Sequence, residues 1–241
     1  MKIIGYSERG AMNALFYGMA FDKETGEENM REFLKLANIE NPDKFSYFEI
    51  YNEFSLSEFG NPDLVIIAKQ KEGKSPVVFF IEAKVSACNG FRINTAYNNY
   101  KKINCDTSNL FYQIKQKEAL FNVRREIPTH TEKSTTPIDT VMGSRNIGNN
   151  PVVRKFADYL KECSGAEYIA IIPAVSGEED EPWKDEDFPN LRIVYWEDLY
   201  AKFKGLKPFI ETIEYNQAED PTTVSKKLKS QIMNKPVRDL K

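Results

Sequence analysis

The chain has 241 residues, of which 41% are hydrophobic, and a formal net charge of −3. This size and composition suit a single substantial core, with one domain over residues 1–221 and a basic tail or helix over residues 222–241. The longest wholly apolar runs have about five residues, far fewer than the ~20 that span a bilayer, and the amino terminus lacks a signal-peptide pattern. We therefore expect a soluble, cytoplasmic protein without a membrane partner.

Histidine and cysteine chemistry is sparse in this chain. The only histidine, His130, lies in a polar segment, so catalytic triads and zinc sites with paired histidines would all have to share one residue. Cys88, Cys105 and Cys163 are odd in number and widely spaced, which favours neither a disulfide framework nor a zinc cluster. We expect His130 at the surface and the cysteines as reduced thiols.

An amphipathic helix is predicted near the amino terminus. Ser7 is a candidate helix cap, and Met12, Leu15 and Met19 recur at helical spacing after it. At ~100° per residue, Glu8 falls on the same stripe, so its carboxylate points toward the core. Glu8 is therefore a candidate metal ligand. The alternative is that it complements the helix dipole in the first turn.

Three strands are predicted next. The aromatic-rich segment Phe45–Phe54 is followed by two short apolar runs, Leu64–Ala68 and Val77–Ile81, with a turn-forming segment between them. The two runs predict an antiparallel hairpin in which Asp63 and Glu82, equidistant from the centre of the turn, face each other. Because both runs are apolar on both faces, we expect them to be central strands that are covered on both sides.

Three charged side chains meet at the open end of this hairpin. Side chains alternate along a strand, so Glu82 and Lys84 share one face while Ala83 points to the other. Charges at the end of a buried hairpin are costly unless they are compensated, and a divalent cation is the compensation that we expect. Asp63, Glu82 and the Ala83 carbonyl suit Mg²⁺, with Mn²⁺ as a substitute. The ordinary interpretation is that Asp63 caps a turn and Glu82 pairs with Lys84.

A metal held in this way would support one kind of chemistry. A bound metal lowers the pKa of a water ligand and stabilises charge on a phosphoryl oxygen. Lys84, a point charge beside the metal, can orient the attacking water or stabilise the transition state. The pattern of Asp63, Glu82 and Lys84 therefore favours phosphodiester hydrolysis.

The rest of the chain alternates helices and strands. Residues 127–150, rich in Thr, Ser, Asn, Gly and Pro, are predicted to be a long flexible connection. The other predicted elements are a helix from a Ser108 cap to about Arg125, a helix from Pro151, strands Tyr168–Ile172 and Leu191–Trp196, and a helix Glu197–Phe203. The helix from Pro151 is predicted to carry one apolar face formed by Val152, Val153, Phe156, Ala157 and Leu160. Interleaved strands and helices predict an α/β sandwich, a central mixed β-sheet flanked by helices.

Basic charge is concentrated in two segments. Residues 86–125 carry seven basic and two acidic residues, and residues 222–241 carry six basic residues and one acidic residue. Phosphate affinity depends on local rather than total charge. The candidate nucleic-acid-binding residues of the first segment are Arg92, Tyr97, Tyr100, Lys101, Lys102 and Lys117. The alternatives are a solvated Asn-rich loop over residues 86–107 and, for the tail, a packing or dimerising helix.

The order of these elements resembles the PD-(D/E)xK nuclease superfamily, which has the restriction-endonuclease-like fold. The resemblance covers roughly residues 5–205, and its specific motif rests on Pro62, Asp63, Glu82 and Lys84. It implies that Asp63 and Glu82 are metal-binding carboxylates, that Lys84 is the catalytic lysine and that Glu8 is the acid of the first helix.

The same resemblance implies a Mg²⁺-dependent endonuclease that acts on DNA before RNA, in a defence setting like that of restriction enzymes. A homodimer is an option, because two sites cut two strands most easily. In an exonuclease-like branch, a Gln followed four residues later by Tyr positions the site. Here the residue four positions after Gln113 is Lys117 rather than Tyr, so the match is partial. Gln113 is a candidate for nucleic-acid binding. The alternative function is a non-catalytic member of the same fold that binds nucleic acid or protein.

Overall fold

The computed structural model describes residues 8–21, 25–52, 54–85, 91–132, 136–148, 150–174, 183–184, 187–207 and 209–210. The helices with defined bounds are α1 Glu8–Phe21, α2 Gly26–Leu36, α3 Ile93–Tyr100, α4 Leu110–Val123, α5 Pro151–Glu162 and α6 Trp196–Lys202. The strands are β1 Phe45–Asn52, β2 Leu64–Gln70, β3 Val77–Ala83, β4 Ile138–Thr140, β5 Gly143–Arg145, β6 Gly165–Ile172 and β7 Leu191–Tyr195.

Five of these strands form one mixed sheet in the order β1-β2-β3-β6-β7. The pairs β1–β2 and β2–β3 are antiparallel, whereas the pairs β3–β6 and β6–β7 are parallel. A parallel pair needs a crossover connection, and the segment from β3 to β6 contains α3, α4 and α5. The predicted α/β architecture with a central mixed sheet is confirmed.

Helices cover both faces of the sheet. One apolar layer joins α1, α2 and α6 to residues such as Leu64 and Ile66, and the other joins α3, α4 and α5 to Val65 and Ile67. Consecutive β2 residues alternate between the layers, as the pleat requires. Both faces of the predicted hairpin are therefore buried, which explains why its strands are apolar throughout.

The register of the hairpin is the predicted one. Leu64 of β2 faces Ile81 of β3, so that Asp63 and Glu82 come next along the two strands. At the other end, Glu72 and Gly73 adopt φ angles of 63° and 69° and reverse the chain direction. Turn and apolar pattern agree on one register, because a slip by one residue would exchange the two faces.

Several local predictions need correction. The N-cap of α4 is Asn109, whose Oδ1 accepts hydrogen bonds from the N–H groups of Phe111 and Tyr112 at 2.9 and 3.3 Å. The predicted cap, Ser108, lies one residue earlier, and its backbone N–H donates to Oδ1 of Asp106 at 2.8 Å. On α5, Val152 was expected on the apolar face but is 62% exposed.

Two segments that were predicted to be loops contain regular structure. The segment 86–107 includes α3, which packs through Ile93 and Tyr97. The connection 127–150 includes the small hairpin of β4 and β5. Both elements are short, and each is held by packing against α4 rather than by strong local propensity.

Some predictions concern other surface and terminal features. Cys105 and Cys163 are free thiols, and His130 lies at the surface against the carboxylate of Asp158. Among the described helices, none has the length and apolar character that a bilayer crossing requires. The predictions for Ser7, Cys88, the end of the 45–54 strand at residue 53 and the tail 222–241 lie outside the described residues, and the division at residue 221 stays a prediction.

Candidate active site

The predicted charges converge at the open end of the β2–β3 hairpin. A cavity of about 670 Å³ opens there, and Glu8, Asp63, Lys84, Gln113 and Gln116 are among the residues that line it. The carboxylate of Glu8 enters from the start of α1, Asp63 precedes β2, and Lys84 follows β3. The structure thus brings together the three elements from which the sequence predicted a site.

Asp63 ties the two strand ends together. Its Oδ2 accepts a hydrogen bond of 2.7 Å from the backbone N–H of Ala83. Burial raises the pKa of the Asp63 carboxyl, while this hydrogen bond and the charges of Lys84, Lys117 and Arg9 oppose the rise. Within a strand, the N–H and C=O of one residue point to the same edge, so the Ala83 carbonyl also faces the Asp63 side.

Glu82 forms a fully buried ion pair with Lys117. The Nζ of Lys117 on α4 lies 2.7 Å from Oε1 of Glu82, and both side chains have 0% exposure. Burial raises the pKa of the Glu82 carboxyl, and the ammonium of Lys117 is the main opposing influence. Lys117 therefore supplies a positive charge beside the carboxylate for which we expected a divalent cation as compensation.

Gly60 makes room for this ion pair. Its φ of 83° and ψ of −177° belong to a region that is essentially restricted to glycine. A Cβ atom at this position would lie 2.6 Å from Oε1 of Gln116 and 3.0 Å from Nζ of Lys117. A glycine is therefore required here by both the backbone and the packing.

Lys84 is held at the edge of the cavity by its backbone. Its N–H donates to the Ile171 carbonyl at 2.8 Å, and its own carbonyl accepts from Nε1 of Trp196 at 3.0 Å. Its Nζ lies 3.7 Å from Oε2 of Glu8. Burial raises the pKa of the Glu8 carboxyl, the charge of Lys84 lowers it, and the nearby charge of Asp63 raises it again.

The donor set can be tested for its fit to a hard divalent cation. Oε2 of Glu82 is buried and has no hydrogen-bond partner among the described residues. Glu8 and Asp63 line the cavity, whereas Glu82 reaches the same charged cluster from the buried side. In the described part of the chain, no three His, Cys, Asp or Glu side chains form a ready-made metal cage. Oxygen ligands with a share of water suit Mg²⁺, so these residues fit the ion, provided that water and the Ala83 carbonyl complete the shell.

The residues predicted to bind nucleic acid fall into two groups. Arg92, Lys101 and Lys102 are exposed. Tyr97 is buried, and its hydroxyl donates to Oδ2 of Asp187 at 2.7 Å. The side chains of Tyr97 and Lys117 do not reach solvent, so neither residue can form part of a nucleic-acid-binding surface.

Tyr100 and Gln113 occupy intermediate positions. Tyr100 is half-buried, with its ring centroid 5.4 Å from that of Phe188. Gln113 lines the cavity, and its Oε1 is buried with no hydrogen-bond partner among the described residues. Gln113 thus lies beside Asp63 and Glu8 rather than on an outer binding surface.

The main residue that the sequence analysis misassigned is Lys117. It follows Leu110 and Ile114 at helical spacing and precedes Leu120, so it falls on the apolar stripe of α4. A lysine on such a stripe predicts a buried partner of opposite charge. The sequence analysis assigned Lys117 to the basic segment and did not use its position on the apolar stripe.

Comparisons with protein-family models, with curated proteins and with solved structures found no match to this chain. Any assignment of function therefore rests on the residues of the site and on their geometry.

Proposed function

We propose that this protein is a Mg²⁺-dependent nuclease of the PD-(D/E)xK type, with the restriction-endonuclease-like version of the α/β sandwich. The observation that carries the proposal is the convergence of Glu8, Asp63, Glu82 and Lys84 at one end of the central hairpin. The hairpin register and the order of helices and strands support the fold assignment. DNA is the proposed substrate.

Asp63 and Glu82, with Glu8 and the Ala83 carbonyl, would hold the metal. A divalent ion at this position supplies a water of lowered pKa and stabilises negative charge on the phosphoryl group. Asp63 is already oriented by the Ala83 N–H at 2.7 Å. Preorganised ligands of this kind spare the reorganisation that a flexible site would need.

Lys84 is the proposed catalytic cation. Its side chain is mostly buried, and both backbone hydrogen bonds fix the point from which it extends. The carboxylate of Glu8 at 3.7 Å keeps its ammonium near the cavity. From there Lys84 can orient the attacking water or stabilise the additional charge on the phosphoryl oxygens.

Lys117 is a positioning residue in this scheme. Its Nζ lies 2.7 Å from Oε1 of Glu82, so we assign Oε2 of this carboxylate to the metal. The lysine thereby fixes the orientation of the carboxylate and lowers the cost of burying it.

A second candidate function is a binding protein without catalysis. It is favoured by the Glu82–Lys117 pair itself, because a carboxylate that is neutralised by a lysine needs no metal. In that case the exposed basic residues would act on their own as a surface for nucleic acid or protein.

Plasmid cleavage distinguishes the two functions. We expect the wild-type protein to cut DNA with Mg²⁺ or Mn²⁺, and we expect Asp63→Ala and Lys84→Ala to lose this activity. Lys74→Ala, on the turn at the other end of the hairpin, is the matched lysine control and retains the activity. If wild type and variants bind DNA equally well and none of them cuts it with either metal, the binding function is the correct one.

A further inference from the structure

Two more cavities adjoin the candidate active site. The second, of about 600 Å³, shares Lys84 and Ser108 with the first. The third, of about 790 Å³, shares Lys102, Asn104 and Cys105 with the second. Because each neighbouring pair shares lining residues, the three cavities lie side by side, and together we name them the strand track. The third, which lies between α3, α4 and the β4–β5 hairpin, is the distal pocket.

The distal pocket combines positive charge with apolar surface. Its lining includes four cations, Lys101, Lys102, Lys115 and Arg145, and no carboxylate among the described lining residues. One of the four, Lys115, is paired with Glu118 at 2.8 Å, so Lys101, Lys102 and Arg145 supply the positive charge of the pocket. Tyr100, Tyr112, Ile103, Val141 and Met142 supply aromatic and aliphatic atoms. Ile103 and Val141 are largely exposed, which is unfavourable for a pair of apolar side chains unless a partner covers them.

Several of these cations are already held in place. Arg145 donates to the Glu58 carbonyl at 2.9 Å and to the Tyr112 hydroxyl at 3.1 Å. Lys101 lies 4.5 Å from the ring centroid of Tyr97. Because part of their conformational freedom is already lost, binding an anion costs these side chains less entropy.

We propose that the strand track binds single-stranded DNA, with nucleotides that flank the cleaved bond lying in the distal pocket. The proposal rests on the proposed function in one respect, since that function places the cleaved phosphodiester in the first cavity. Phosphates would pair with Lys101, Lys102 and Arg145, and bases would lie against Tyr100, Tyr112 and the exposed aliphatic side chains. Stacking of this kind requires unpaired bases, whereas a duplex exposes only its backbone and groove edges.

The decisive variant is the charge reversal Lys101→Glu/Lys102→Glu, and Lys71→Glu/Lys74→Glu is its matched control. Both variants change the net charge equally, but the control lysines lie on the β2–β3 turn at the opposite end of the hairpin. Binding is measured by fluorescence anisotropy in EDTA, which prevents cleavage, with labelled DNA strands of about 6 and 20 nucleotides, a range chosen to bracket the usual site sizes, and with a 20-mer duplex.

We expect wild type to bind the 20-mer strand more tightly than both the 6-mer and the duplex. Lys101→Glu/Lys102→Glu should weaken binding of the 20-mer at least about tenfold at low salt and should reduce the salt slope by about 1.4, since each phosphate contact on a single strand contributes ~0.7. The control should bind like wild type.

Four results would overturn the proposal: equal weakening in the control, unchanged binding in the site variant, a preference for duplex, or tighter binding of an acidic peptide than of any DNA. Failure of the nuclease assignment looks different. One outcome is length-dependent binding of single strands that is lost in the site variant, with no cleavage under any metal. This outcome would support the strand track and contradict the nuclease assignment. Cleavage by wild type without the predicted binding differences would support the nuclease assignment and contradict the strand track.

Discussion

The two ends of the β2–β3 hairpin carry the same kinds of residue in opposite environments. At the turn, Lys74 lies 3.1 Å from Glu72, and the side chains are 65% and 76% exposed. At the open end, Lys117 lies 2.7 Å from Glu82, and neither side chain is exposed. Each end also has a glycine with positive φ, Gly73 at the turn and Gly60 at the open end. Burial, rather than residue type, distinguishes the candidate site from an ordinary surface turn.

Removing one cation from each end of the hairpin should give the largest difference in stability. Lys117→Met leaves the buried Glu82 without its partner, which should lower the free energy of unfolding by about 3–5 kcal/mol. Lys74→Met should cause no measurable change, because an exposed pair contributes little. Urea denaturation of both variants measures the difference.

A double variant tests whether the unpaired charge of Glu82 causes the loss of stability in Lys117→Met. Glu82→Gln/Lys117→Met removes the charge of the carboxylate as well, so it should recover much of the stability lost in Lys117→Met. Equal stability of Lys117→Met and Lys74→Met would contradict the buried pair.

Substitutions of Gly73 and Gly60 compare the packing at the two ends of the hairpin. Gly73→Ala meets no atom within 4 Å, so it reports the strain of positive φ alone and should cost about 1 kcal/mol. Gly60→Ala adds close contacts with Gln116 and Lys117 and should cost about 2–4 kcal/mol. Thermal or urea unfolding gives both values. Similar losses at both positions would mean that the open end is not tightly packed around Lys117.

The cap of α4 is the next test, because this helix carries Lys117. Asn109→Ala removes the acceptor for two backbone N–H groups and should cost about 1 kcal/mol. Ser108→Ala, one residue earlier, keeps the cap and should cost much less. A reversal of this order, measured by the same unfolding experiment, would restore the cap that was predicted from the sequence.

A smaller loss of stability is expected for Asp158, whose partly buried carboxylate contacts His130 and Lys161. Burial raises the pKa of Asp158, but hydrogen bonds from Lys161 and His130 outweigh it and lower the pKa to about 2. A folded-state pKa below the unfolded value stabilises the folded protein above about pH 4, and this contribution is lost between about pH 4 and pH 2. Asp158→Asn should therefore be less stable than wild type at pH 7, by less than Lys117→Met. A difference in melting temperature that persists unchanged at pH 2 would contradict this account.

The hairpin could be predicted because its information is local. Two apolar runs and one turn fix the register, and the register alone sets Asp63 beside Glu82 on a shared face. The helix stripe of Met12, Leu15 and Met19 likewise predicted Glu8 on the inward side of α1, where its partly exposed side chain lines the cavity. In both cases, the periodicity of one or two neighbouring elements was sufficient.

The partner of Glu82 could not be predicted in this way. Lys117 lies on a helix packed across the sheet, and the contact depends on how that helix docks rather than on sequence spacing. The Asn-rich α3 was missed for a related reason, since its stability comes from the packing of Ile93 and Tyr97. Ser108 and Asn109 are both good cap residues, and the hydrogen bonds from the N–H groups of Phe111 and Tyr112 to Oδ1 of Asn109 decide between them.

The proposed nuclease depends on a divalent metal held by Asp63 and Glu82 at the buried end of the hairpin. Calorimetric titration of Mn²⁺ into the folded protein measures this binding, with Asp63→Asn as the site variant and Glu72→Gln as the control at the turn. We expect saturable binding in wild type and in Glu72→Gln and its loss in Asp63→Asn. Absence of binding to wild type, or equal binding by all three proteins, would contradict it.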